Sequence, residues 1–208
     1  MLLIVTGIEA KTYLVAIGIA DYPGTNNDLR LPTNDARAVQ YIFQQNGNVE
    51  SVLLLNNQAT RAEIVRQMDI LFTKASADDM VVLFFSGHGQ PGGFTAYDKA
   101  LTYDDVRKAM AASRAKRKVI FADACFSGGI QEGRTSSTQA ADYKDYDILL
   151  FLSSRGNEMS METPAMRNGL FTRTLRLCQH SGQNTFLWST TPSHVGSLRR
   201  QHGYPSLG

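Results

Sequence analysis

The sequence predicts an α/β fold: a mostly parallel central sheet with helices on both faces. Three observations predict it. Short, wholly apolar runs such as Tyr13-Leu14-Val15-Ala16-Ile17 and Met80-Val81-Val82-Leu83-Phe84-Phe85 are built like strands buried on both sides. Amphipathic stretches lie between them, so that strand and helix alternate along most of the chain. Two of the apolar runs end in a reactive side chain beside glycine, where open α/β sheets place their ligand crevice.

Taken in order, residues 13–19 form a central strand and 21–32 a loop rich in Gly, Asn, Asp and Pro. Residues 34–45 form a helix with Ala36, Val39, Ile42 and Phe43 on one face, stopped by Asn46-Gly47. A strand at 51–55 follows. Thr60-Arg61-Ala62-Glu63 is a capping box opening a helix that buries Ile64, Met68 and Leu71. After the strand at 80–85, residues 90–100 are a loop with a short hairpin. Thr102-Tyr103-Asp104-Asp105 is a second capping box, opening a helix that runs to about Ala112. The strand at 118–122 leads into 130–147, which is polar, Ser/Thr-rich and without apolar period. Residues 148–152 are a fifth strand, 155–168 a loop and 169–179 a helix. The domain therefore spans 12–180, preceded by a tail or signal remnant at 1–11 and followed by an irregular segment at 181–208.

Composition narrows the function classes. With 208 residues, 43% hydrophobic and 19% charged, the chain suits one well-buried globular domain. A net charge of +2, evenly spread, gives no footprint for nucleic acid. No apolar run is long enough to span a membrane. The first ten residues read as the end of a secretory signal or as an extra strand, which leaves the compartment open. Two cysteines make no disulfide framework; Cys178 reads as a small buried hydrophobe, and a Cys125–Cys178 bridge would silence the thiol considered next.

The chemistry is carried by two strand ends. One delivers Ser86-Gly87-His88-Gly89 and the other Asp123-Ala124-Cys125-Phe126-Ser127-Gly128. A thiolate at neutral pH needs a neighbouring base, and histidine is the usual one. The glycines let substrate backbone approach. Asp123, two residues before the thiol, cannot sit in a core without a partner. Against a flavodoxin-like nucleotide binder, no Gly-rich phosphate loop follows the first strand: Gly18-Ile19-Ala20-Asp21 leads into loop rather than helix.

These two signatures resemble those of the caspase-like cysteine peptidases, and within them the metacaspase branch, bacterial members included. The resemblance covers roughly residues 12–178 and extends to Asn34-Asp35-Ala36 and Asn168-Gly169-Leu170-Phe171-Thr172. It implies a caspase-like fold with a central, mostly parallel six-stranded sheet. It also implies a cysteine endopeptidase, with peptides or proteins as substrates and no cofactor needed for the chemistry. Cys125 is then the nucleophile and His88 its base, with the main-chain N–H groups of Gly89 and Cys125 as oxyanion donors. No third triad member is legible. The Asp35, Ser86 and Asp123 positions match an acidic pocket selecting Arg or Lys before the cleaved bond, and Ser153 would pair with extended substrate. The resemblance further implies calcium as an activator at Asp98, Asp104, Asp105 and Glu132, and self-cleavage at Arg134 or Lys144. The true caspase Gln-Ala-Cys-Arg-Gly motif is absent, so aspartate specificity does not follow. Competing readings are a peptidase of another preference and a catalytically silent binding module on the same fold.

Overall fold

Seven-residue runs of Val, Leu, Ile and Phe flanked by charged or turn residues fold as the strands their composition favours. The structure is a computed structural model that describes residues 10–45, 47–124 and 148–152. In chain order its elements are β1 (Thr12–Gly18), α1 (Pro32–Gln45), β2 (Val49–Leu55), α2 (Arg61–Phe72), β3 (Met80–Ser86), β4 (Gly89–Gln90), β5 (Gly93–Thr95), β6 (Ala100–Thr102), α3 (Tyr103–Ala112), β7 (Arg117–Asp123) and β8 (Ile148–Leu152). β2, β1, β3, β7 and β8 form a five-stranded sheet in that order, every neighbouring pair parallel. A three-stranded antiparallel sheet, β4-β5-β6, occupies residues expected as a loop with a hairpin. The sixth strand of the expected sheet and the helix at 169–179 lie outside the described residues.

Alternation along each central strand sorts its side chains onto two faces. Val15, Ile17, Val81, Leu83, Phe85 and Ile120 pack with Ile64, Met68 and Phe72 of α2 and Val106 and Met110 of α3. Leu14, Ala16, Val82, Phe84, Val119 and Phe121 pack with Ala36 and Val39 of α1. Both faces are thus covered, which is why these strands are apolar at every position rather than at every second one.

α1 starts two residues before the expected Asn34, because Pro32 occupies its first helical position, where a missing N–H costs nothing. The Leu31 carbonyl accepts the N–H groups of Asn34 at 2.9 Å and Asp35 at 3.0 Å. Asp35 is therefore one turn into the helix and faces inward instead of capping its end. The two capping boxes behaved differently. Thr102 and Asp105 exchange both bonds, whereas at α2 Thr60 accepts the Glu63 N–H while the Glu63 carboxylate holds Arg66 and Gln67.

The feature that builds a site is register. Gly18 is aligned with Leu55 on one side and Ser86 on the other, and Ser86 with Asp123. The carboxyl ends of four strands thus stand in one row, and the loops that leave them emerge together. At Gly18 the row is pressed against the start of α1: a Cβ there would lie 2.3 Å from the Pro32 carbonyl oxygen and 2.8 Å from the Ala36 Cβ. Gly18→Ala is expected to cost about 2–3 kcal/mol by overpacking, measured as a fall in melting temperature of roughly 4–12 °C.

Candidate active site

His88 follows β3 by two residues, and three groups hold it in place. Its main-chain N–H donates to the Tyr22 hydroxyl at 2.9 Å. Its main-chain carbonyl accepts the Thr95 N–H at 2.9 Å. Its ring Nε2 lies 2.7 Å from the main-chain carbonyl oxygen of Asn27. A carbonyl oxygen only accepts, so Nε2 carries the proton and the neutral ring keeps Nδ1 as its basic nitrogen. The Tyr22 ring packs against the imidazole, centroids 4.8 Å apart.

Tyr22 and Asn27 both come from the loop after β1, which is tied down at several points. The Asn56 side-chain carbonyl accepts the N–H groups of Ala20 at 3.0 Å and Asp21 at 3.3 Å. Leu29 N–H donates to the Ala20 carbonyl at 2.7 Å, and the Asp28 carboxylate accepts the Tyr22 N–H at 3.1 Å. The loop expected at 21–32 is a built support. The only sequence signal for Tyr22 was an aromatic in a polar loop just past a central strand; Asn27 acts through its main chain and leaves no side-chain signal.

The expected pocket residues converge on the same row. Asp35 and Ser86 are buried, and the Ser86 hydroxyl donates to the Asp35 carboxylate at 3.2 Å. Ser86 is the register partner of Asp123, whose main-chain carbonyl accepts the Gly87 N–H at 3.3 Å. Asp35 arrives from α1, Ser86 from β3 and Asp123 from β7, so only the tertiary fold assembles the group. Gly89 opens β4, paired with Phe94. Cys125, Glu132, Arg134, Lys144, Ser153 and Cys178 lie outside the described residues.

The acidic residues considered for calcium are engaged otherwise. Asp98 accepts the main-chain N–H of Arg61 at 2.7 Å. Asp105 holds the Arg61 guanidinium through two bonds, of 2.7 and 3.0 Å, and also closes the α3 capping box. Asp104 pairs with Arg107 one turn on. Among the described residues no three carboxylate, His or Cys side chains gather to hold a metal ion; Glu132, the fourth donor expected, lies outside them.

A parallel α/β sheet with a main-chain-anchored histidine at its carboxyl edge defines the class of this domain. A family model for the caspase domain matches residues 11–193, and the chain belongs to that peptidase family. It is 32% identical over 103 residues to metacaspase-1 of Candida albicans, a match covering 43% of this chain and 23% of that protein's length. Its fold is similar to that of a protein from Geobacter sulfurreducens (TM-score 0.66, 19% identity, 82% of this chain and 83% of the other). It is also similar to caspase-1 of Spodoptera frugiperda (TM-score 0.58, 16% identity, 83% of this chain and 69% of the other).

The Arg61–Asp105 pair makes a pH-dependent contribution to stability. Burial of Asp105 would raise its carboxyl, but the bonds from Arg61 and Thr102 outweigh this and hold it below the usual range. A depressed carboxyl stabilises the fold above its unfolded value of about 3.9 and loses that contribution as pH falls through the folded value. Arg61→Ala is therefore expected to cost about 1 kcal/mol at neutral pH, the partly exposed arginine being screened by solvent. Denaturant titrations should show the gap to wild type constant from pH 7 to 5 and closing below pH ~4.

Proposed function

We propose that the chain is a cysteine endopeptidase that cleaves after Arg or Lys. The observation that carries this is register: His88 stands two residues beyond Ser86, Cys125 two residues beyond Asp123, and those two residues are paired on adjacent parallel strands. Equal steps along the chain from a shared row support a thiol and an imidazole serving one site. The Asn27 carbonyl holds the ring in the tautomer whose Nδ1 is basic.

In this reading Nδ1 of His88 takes the Cys125 proton, and the thiolate adds to the scissile carbonyl. The negative oxygen is met by main-chain N–H groups of Gly89 and Cys125. Collapse expels the amine, which receives its proton from His88, and leaves a thioester on Cys125. Water, deprotonated by His88, then hydrolyses the thioester and frees the thiol. A buried Asp35 bridged to Ser86, beside Asp123, supports an acidic pocket for a substrate guanidinium or ammonium. Ser153 would align the substrate backbone, and Arg134 and Lys144 would be the sites of self-cleavage.

The test is turnover of fluorogenic peptides ending in Arg, Lys or Asp by reduced protein. Cleavage after Arg and Lys is expected, abolished in Cys125→Ala. Asp35→Asn is expected to lower kcat/KM on those peptides by about 30-fold or more, since it removes one partner of a buried charge pair. Cleavage after Asp would overturn the pocket assignment. No cleavage by folded protein would overturn the peptidase reading in favour of a binding module. Comparing calcium with chelator in the same assay tests activation by the cation.

A further inference from the structure

We infer that Tyr22 is a positioning residue for His88, its hydroxyl acting as a spacer that sets where the imidazole stands. The inference rests on the peptidase reading for its consequence, not for its geometry. His88 and Thr95 approach each other at the start of the small antiparallel sheet, next to the Gly89–Phe94 pair. Two residues facing each other there would exchange two direct N–H to carbonyl bonds in a regular ladder. Only one of these is direct: Thr95 N–H to the His88 carbonyl, at 2.9 Å. In place of the other, the Tyr22 hydroxyl accepts the His88 N–H at 2.9 Å and donates to the Thr95 carbonyl at 3.2 Å.

One oxygen thus completes a ladder rung that is held open by its own width. The phenol is 5% exposed, and its burial pushes its pKa up, so it remains a neutral O–H able to do both jobs across the working pH range. The neighbouring chain is shaped to admit it. Gly87 has φ 157°, and a Cβ at that position would lie 2.7 Å from the Tyr22 oxygen and 3.3 Å from the Phe85 ring. The same ring then lies against the imidazole. Backbone spacing, ring packing and the glycine agree on one position for His88, with Asn27 fixing its rotation.

Tyr22→Phe keeps the ring and removes the spacer. The rung then either stays open with two unsatisfied polar groups or closes directly, and closing moves His88. Turnover of the Arg or Lys peptide should lose about 10- to 100-fold in kcat, as small displacements of a catalytic group do, with KM within about twofold of wild type. The pH midpoint for alkylation of Cys125 by iodoacetamide should rise, because the imidazolium that favours the thiolate is displaced. Tyr13→Phe, a buried tyrosine of β1, should match wild type in both assays. Should Tyr22→Phe not fold, Gly87→Ala presses on the same oxygen and should give the same two changes. Wild-type kcat and alkylation midpoint in the folded variant would overturn the inference, as would a kcat loss matching the fraction unfolded. If wild type itself cleaves no peptide, the peptidase reading fails separately. The His88 amide and ring resonances in Tyr22→Phe then decide the inference: shifts sustain it, and unchanged resonances overturn it.

Discussion

The alignment of four parallel strand ends is the constraint on which the rest depends. Parallel pairing without slippage puts Leu55, Gly18, Ser86 and Asp123 side by side. β1, β3 and β7 are buried on both faces, so a slip of one residue would swap their side chains between the α1 layer and the α2–α3 layer. Burial therefore locks the register, and the register decides which loops meet. His88 stands where it does because β3 is anchored along its whole length beneath it.

Above that row the forces change from apolar packing to main-chain hydrogen bonding. The loop after β1 contributes little to the core beyond Ile19, Tyr22 and Leu31. It is held instead by the Asn56 side chain, which takes a positive φ of 47° at the end of β2 to reach two of its N–H groups. That tether joins the edge strand to the histidine two strands away, through Tyr22 and Asn27. A support made of main-chain bonds is tolerant of side-chain change while keeping the histidine in place.

Charge is arranged with similar economy. Asp35 is drawn inward from α1 to Ser86, while Asp98 and Asp105 are drawn to Arg61 on the opposite layer. These carboxylates thus have separate roles, Asp35 beneath the carboxyl end of β3 and the other two clamping α2 to β6 and α3. They belong to opposite faces of the sheet, and nothing in the spacing of Asp35, Asp98 and Asp105 along the chain distinguishes them.

The central strands and the two later helices were legible because each rests on local rules. Apolar runs mark buried strands, Thr-x-x-Glu and Thr-x-x-Asp mark helix starts, and a Gly-flanked His marks an exposed strand end. The start of α1 carries a local signal too, a proline at the first helical position. The three short strands after His88 were harder, since two or three residues carry no usable period. The roles of Tyr22 and Asn27 were not legible, an aromatic in a polar loop being the one trace of the first. Their roles depend on where a loop oxygen comes to rest beside a histidine more than sixty residues away. By itself the sequence determined which segments are strands and helices and which side chains could carry chemistry, because those follow from neighbours along the chain. Only the tertiary structure decided which strand ends share a row, and hence that Asp35 meets Ser86 and that Tyr22 holds His88. Those contacts are made by pairing and packing across the sheet, where distance along the chain counts for nothing.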